Sequence, residues 1–280
     1  MLSQPPTLQD IQNAQSLTDS IVRKTPIITS NYFNELLGME LFFKCENFQK
    51  TGSFKIRGAS NAVFSLTDEE AKQGVACQSS GNHGGAVACA ASLKGVHADV
   101  VMAKSVSKAK IHNVKTYNGN MIFCDKMSER DGLFQEVLKK YNRVSIHPYD
   151  NYSVIAGQGT IGLELCDQLD SFDAVVVPIG GGGLISGISI ALKGLGSQAT
   201  IIGTEPKNVD DIILATEEEI IETTRLIWEQ MKIIVEPSCA LTLASVIANK
   251  ERFKGQKVVL ILSGGNVDLV ELPWQKVGKD

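Results

Sequence analysis

Lys55 follows Gly52-Ser53-Phe54 at the start of a helix, where the positive helix end disfavours a cation. With the ring of Phe54 beside it, that setting would depress the amine pKa and suit a Schiff-base lysine. A solvated lysine is the plain alternative from position alone, and Arg57 could equally be a surface charge. Gly180-Gly181-Gly182-Gly183, just before a helix, reads as an anion cradle: glycines expose several N–H groups next to a positive helix end. A tight turn would need only one or two of them. The run matches neither GxGxxG nor GxxxxGK[ST], so dinucleotides and nucleoside triphosphates are not the first choice. Ser79-Ser80-Gly81-Asn82-His83-Gly84 gathers donors and acceptors, though capping of the Ala-rich helix behind it competes for Ser and Asn, and a lone His is more often structural. Glu205 and Asp211, in Glu-Pro-Lys-Asn-Val-Asp-Asp, could supply hard oxygen ligands or form a solvated acidic loop.

Residue patterning supplies the frame that would position these groups. Helices are expected over residues 8–23, 54–66, 83–93, 108–117, 130–140, 154–169, 187–195, 217–231 and 240–249. Strands are expected over 40–45, 74–78, 99–102, 121–124, 144–146, 174–177, 200–204 and 258–262. Repeated strand–loop–helix units imply an α/β fold, with open twisted parallel sheets flanked by helices. Such sheets bind ligands at the carboxyl ends of their strands. The Ser79 and Gly180 runs and Ser263-Gly264-Gly265-Asn266 each leave a β-rich stretch, so all three should point into one crevice.

Bulk properties exclude several classes. The chain has 280 residues, 43% hydrophobic and 21% charged, and 27 Lys+Arg against 31 Asp+Glu give a formal charge of −4. That is an ordinary globular composition for one or two domains, with no basic surface for nucleic acid. Cys45, Cys77, Cys89, Cys124, Cys166 and Cys239 form no CxxC pair, which suggests buried free thiols in a reducing, cytoplasmic setting and no zinc site. Residues 174–192 are uncharged and almost long enough to cross a bilayer, but Pro178 and the glycine run break them into a strand, a loop and a helix. No membrane span and no secretory signal is expected.

At Lys50-Thr51-Gly52-Ser53-Phe54-Lys55-Ile56-Arg57-Gly58 the sequence resembles the fold-type II pyridoxal-phosphate enzymes of the serine racemase and serine/threonine dehydratase family. The likeness continues through Phe42-Phe43-Lys44-Cys45-Glu46-Asn47-Phe48-Gln49, the Ser79 run, Ile155-Ala156-Gly157-Gln158-Gly159-Thr160, the Gly180 run and Ser263-Gly264-Gly265-Asn266-Val267-Asp268, in the family's order. It implies a tryptophan-synthase-β-like fold in which Lys55 anchors the cofactor, Phe54 packs on its ring and Asn82 bonds the ring oxygen. Gly180, Gly181, Gly182 and Gly183 would bind the phosphate, and Ser263 would contact the ring nitrogen. A neutral hydroxyl there does not hold the nitrogen protonated, which moderates the electron sink. Ser79, Ser80, Asn82 and His83 would surround the substrate carboxylate, with Arg130 a further candidate. Glu205, the Val209 carbonyl and Asp211 would hold Mg²⁺, Ca²⁺ or Mn²⁺.

The implied activity is serine racemisation with accompanying β-elimination of water from L-serine, Lys55 serving one face of the substrate and Ser80 the other. A dedicated threonine, serine or hydroxyaspartate dehydratase is the neighbouring reading, and a non-catalytic amino-acid-binding protein the distant one. The resemblance further implies a homodimer, a nucleotide effector, a large domain of residues 1–72 and 151–280, and a small mobile domain of residues 73–150. One departure stands out. After Asp211 the family carries several dozen further residues, including a glycine-bearing loop beside the cofactor, and they have no counterpart before residues 212–220.

Overall fold

The most apolar strand of the chain lies at the centre of its larger sheet, as burial of both faces requires. The computed structural model describes residues 1–79, 81–206 and 213–275. In chain order the elements are α1 (Leu8–Thr18), β1 (Ile27–Ile28), α2 (Asn31–Leu37), β2 (Glu40–Cys45), α3 (Lys55–Phe64), α4 (Asp68–Gln73) and β3 (Val75–Gln78). There follow α5 (Asn82–Lys94), β4 (Ala98–Ala103), α6 (Lys108–Thr116), β5 (Asn120–Cys124), α7 (Arg130–Tyr141), β6 (Val144–Ser145) and α8 (Tyr152–Gln168). The last are β7 (Ala174–Pro178), α9 (Gly183–Gly194), β8 (Thr200–Pro206), β9 (Ile213–Ala215), α10 (Glu217–Met231), α11 (Pro237–Ala248) and β10 (Lys257–Leu262).

Two sheets result. One has the order β1-β2-β10-β7-β8-β9 and is parallel except for the β1–β2 pair; the other, β5-β4-β3-β6, is wholly parallel. Val258 to Leu262 of β10 are fully buried between β2 and β7, with the Phe43, Leu243 and Val246 layer on one side and Ile161, Leu165 and Ile188 on the other. The smaller sheet packs Val75, Cys77 and Val100 against Ala86, Val87 and Ala90 of α5, where small side chains let helix and sheet approach closely. Among the described residues no helix is long and apolar enough to cross a membrane.

Element boundaries differ from the sequence expectation where side chains act locally. The first helix ends at Thr18, not residue 23, because the Thr18 hydroxyl bonds back to the Ala14 carbonyl at 2.7 Å and the Ile21 and Val22 amides turn onto the Thr18 carbonyl. Helix α9 starts inside the glycine run at Gly183, and α11 starts at Pro237, whose fixed φ suits the first helical position. The short elements β1, α2, α4 and β9 lie outside the expected set. Of the six thiols five are buried, but Cys166, on the outer side of α8, is exposed, which corrects the expectation that all are buried.

Arg57 corrects the surface reading outright: it is fully buried. Its Nε and Nη2 donate to the two oxygens of Glu46 at 2.7 and 2.8 Å, and Nη1 donates to Glu164 Oε1 at 2.6 Å. Lys44 joins through Glu164, the Thr25 carbonyl and Gln168. Thr160, Glu164 and Gln168 stand four residues apart on one face of α8, so a single helix face closes this neutral cluster of two cations and two carboxylates. It locks α3, and with it Lys55, to β2 and α8.

Candidate active site

Lys55 is the first residue of α3, and the loop before it is tied to the exit of β10. The Phe54 amide donates to the Ser263 carbonyl at 3.1 Å, the Gly265 amide donates to the Gly52 carbonyl at 2.9 Å, and Ser53 bridges Gly264. Gly52 has φ +73, and a Cβ there would stand 2.5 Å from the Asn266 side-chain oxygen, so glycine is required twice over. The Lys55 amine lies 5.0 Å from the centroid of the Phe54 ring and donates to the Pro148 carbonyl at 2.8 Å. With no carboxylate beside it, burial lowers its pKa to about 8.

Lys55 opens into a cavity of about 890 Å³ whose wall includes Phe54, Asn82, Tyr149, Gly180, Gly181, Gly182, Gly183 and Ser263. Two of the three expected strand exits thus supply its floor, and Asn82 reaches it from the third. The glycine run links β7 to α9 and caps the helix with Gly182 at φ +83. Nothing lies within 4 Å of a Cβ built on Gly180 or Gly182, whereas the Tyr149 ring presses against Gly181 and leaves no room for one. Exposed backbone amides at a helix start, open on one side, could accept an anion.

The small-sheet residues divide. Asn82 donates through Nδ2 to Glu236 at 2.6 Å, which leaves its second amide hydrogen for the cavity. The Ser79 hydroxyl accepts from the Gly81 and Gly84 amides at 3.0 Å each, so it caps the start of α5. His83 is buried and pairs through Nε2 with the Ile146 carbonyl at 2.8 Å; burial, and then the Lys55 charge, depress its pKa to about 3, so it is neutral, with Nδ1 unpartnered. Neither Ser79, His83 nor Arg130 forms part of the cavity wall. Arg130 begins α7, with Nη2 3.5 Å from Asp131. Ser80 lies outside the described residues, as do Val209 and Asp211. Glu205 sits in β8 opposite Leu214, and among the described residues no group of three or more His, Cys, Asp or Glu side chains is placed to hold a metal ion.

Several polar wall residues had not been expected. Glu236 precedes Pro237 at the start of α11 and is buried, and the desolvation this brings raises its carboxyl pKa above the ordinary value. Tyr149 follows the Pro148 carbonyl that holds Lys55. Thr216, Glu217 and Glu218, at the start of α10, face the cavity from the stretch just after the shortened segment. Glu-Pro before an apolar run was a legible helix start, but nothing local showed which way its carboxylate turns.

The open glycine cradle, the spare Asn82 amide hydrogen, the Ser263 hydroxyl and the Lys55 amine are the donors and the nucleophile that a pyridoxal-phosphate group requires. A family model described as pyridoxal-phosphate dependent enzyme matches residues 18–213 and 207–264, and the chain belongs to that family. It is 40% identical to a beta-hydroxyaspartate dehydratase of Paracoccus denitrificans (strain Pd 1222), with 96% of this chain and 99% of the relative covered. It is 39% identical to a serine racemase of Dictyostelium discoideum, with 94% and 95% covered. The structure of maize serine racemase superimposes with a TM-score of 0.91 at 36% identity, covering 97% of each chain. The dehydratase alignment spans 311 positions, yet only 96% of 280 residues take part, so some forty positions of that relative face no residue here. Both stretches of the family match claim 207–213, which places the break in the family pattern there.

Proposed function

We propose that this pyridoxal-phosphate enzyme racemises serine and also eliminates water from L-serine to give pyruvate and ammonia. The observation that carries the reading is the Lys55 amine, lowered in pKa and set in one cavity wall with the glycine cradle, Asn82 and Ser263. The likeness to serine racemases supports it. Pyridoxal phosphate, when bound, supplies an electron sink for negative charge at Cα. The chain's residues do the rest. The amides of Gly180 to Gly183 hold the phosphate, Asn82 and Ser263 hold the ring edges, and Phe54 lies against it. The neutral Lys55 amine takes the α-proton on one face, and Ser80 gives or takes it on the other. Loss of the β-hydroxyl in place of reprotonation yields the eliminated product. Residues 73–150 form the mobile unit that closes over substrate and excludes water. A homodimer and a nucleotide effector belong to the same reading, measurable by sedimentation and by nucleotide titration of activity.

The relative from Paracoccus favours a second reading, a dehydratase. Among the described residues the charged groups of the wall are Lys55, Glu217, Glu218 and Glu236, so a second substrate carboxylate meets anions rather than an arginine. That charge pattern supports a neutral side chain. Parallel chiral assays with L-serine, D-serine, L-threonine and hydroxyaspartate decide between them, and binding without any product would leave a non-catalytic protein. Ser80→Ala should lower racemisation in both directions by roughly 10²–10⁴-fold, the usual cost of one acid/base group, while L-serine elimination survives better. D-serine elimination should fall with racemisation, and equal loss of L- and D-serine elimination with the cofactor still bound would overturn the two-base assignment.

A divalent cation, Mg²⁺ with Ca²⁺ and Mn²⁺ as alternatives, held by Glu205, Val209 and Asp211 is part of the proposal. Chelation should then lower the melting temperature, and Glu205→Ala should remove that response. A wild-type protein indifferent to chelator holds no such ion.

A further inference from the structure

Asn82 stands at the first residue of α5, behind the small sheet, yet both ends of its amide are held by residues that follow the large one. Nδ2 donates to Glu236 Oε1 at 2.6 Å, and Oδ1 accepts from Asn266 Nδ2 at 3.0 Å. A carboxylate on one side and an N–H donor on the other allow the amide a single orientation. Each holder is itself fixed. Asn266 Nδ2 also donates to the Thr51 carbonyl at 2.8 Å, in the pocket that the missing Cβ of Gly52 leaves open. The Glu236 backbone amide donates to the Gly264 carbonyl at 3.0 Å, and a Cβ on Gly264 would stand 2.7 Å from its Oε1. One hydrogen-bonded chain therefore joins the Lys55 loop, the exit of β10 and the start of α5.

We propose that Glu236 and Asn266 are positioning residues, a two-sided clamp that fixes the rotation of the Asn82 amide and docks the α5 start onto the large-sheet unit. The clamp rests on the reading that Asn82 faces the cofactor's ring oxygen. It aims the second Nδ2 hydrogen of Asn82 into the cavity, where an acceptor oxygen can use it. Only an ionised Glu236 enforces the orientation, because a protonated carboxyl can also donate to Oδ1. The charged groups around it are Lys55, Glu217 and Glu218 across the first cavity and Lys108, Lys110, Asp268 and Glu271 around a second cavity of about 580 Å³ that shares Glu236 as wall. Lys110, reaching over Gly81 from α6, favours the ionised form and offsets part of the burial cost.

The test compares wild type with Glu236→Gln, Glu236→Ala, Asn266→Asp and Asn266→Ala. It reads pyridoxal-phosphate affinity by fluorescence titration, the visible absorbance of the bound cofactor against pH, and kcat and KM separately. Glu236→Ala should weaken cofactor binding about tenfold and lower kcat on the order of 10²-fold, the scale of a misplaced contact group, with KM moving less. Glu236→Gln keeps an acceptor but adds a donor, so it should recover only part of that loss and flatten the pH dependence of the absorbance. Asn266→Asp, nearly isosteric, turns a donor into an anion facing two carbonyl oxygens and should be as damaging as Asn266→Ala. The two alanine variants should combine non-additively in cofactor affinity. If Glu236→Ala does not fold, the isosteric pair still decides. Variants within twofold of wild type in affinity and unchanged in absorbance overturn the clamp alone, whereas a wild type that binds no pyridoxal phosphate overturns the site and the clamp together.

Discussion

Exchanging Lys55 for alanine is expected to lower L-serine turnover by on the order of 10⁴-fold, the upper range for one acid/base group, and to leave the cofactor-free protein as stable as before. The two halves come from the same geometry. The amine makes one hydrogen bond to a neutral carbonyl, has no carboxylate partner, and sits at a helix start where positive charge is disfavoured. Its pKa of about 8 lies below the ordinary 10.5, so between those values the unfolded chain binds more protons and stability rises with pH. Alanine should flatten that rise and leave the melting temperature near neutral pH unchanged or higher. Lys55→Arg keeps a cation that cannot deprotonate and should be as inactive as alanine, which separates the amine's chemistry from its charge. Borohydride reduction and peptide mapping should place the phosphopyridoxyl group on Lys55 in wild type. Label on another lysine, or substantial turnover by Lys55→Arg, would remove Lys55 from the mechanism.

What the sequence made legible, and what it hid, divides along chain separation. Strand exits were readable because β-branched runs followed by glycine and serine are local patterns, and the cavity wall draws on all three exits. The caps at Ser30 and Thr67 were equally local: Ser30 accepts from the Phe33 amide, and Thr67 forms a capping box with Glu70. Neither cap was read, and the helices behind them, of seven and six residues, are too short for periodicity to reveal. Long-range pairings were invisible. Arg57 reads as a surface charge because one of its partners, Glu164, is 107 residues away, and Glu236 reads as a helix-start carboxylate because Asn82 is 154 residues away. Ser79 shows the reverse case. Its family register suggests substrate, and in the structure its oxygen accepts from the Gly81 amide and from the Gly84 amide in the first turn of α5, the kind of capping that local chemistry offers the Ser and Asn of this run.

Arg57→Ala should be the most destabilising of the substitutions considered, by about 3–5 kcal/mol, because it leaves buried charge without its partner. Glu46 is completely buried; burial works to raise its pKa, but the charge of Arg57 and its hydrogen bonds outweigh that and hold it below the ordinary range. Without Arg57, Glu46 keeps the Thr25 hydroxyl at 2.5 Å and the field of Lys44, which is already engaged by Glu164. Protonation is then the cheapest way to relieve Glu46. For a chain of this size the loss corresponds to a melting point lower by roughly 10 °C, from a total stability of only about 5–15 kcal/mol. Acid supplies the check on cause. A carboxylate with a depressed pKa contributes stability above its unfolded value and loses it as pH falls through the folded value. The deficit of Arg57→Ala relative to wild type should therefore be greatest near neutral pH and shrink as pH falls through and below the ordinary glutamate value of 4.5, because the variant's Glu46, raised by burial, protonates before the wild type's. Arg57→Lys should restore little, since an ammonium cannot span two carboxylates in the forked geometry that Nε, Nη1 and Nη2 provide. Calorimetry of the three proteins across that pH range tests the account, and a variant melting within a degree or two of wild type would show that the cluster is dispensable and that α3 holds Lys55 without it.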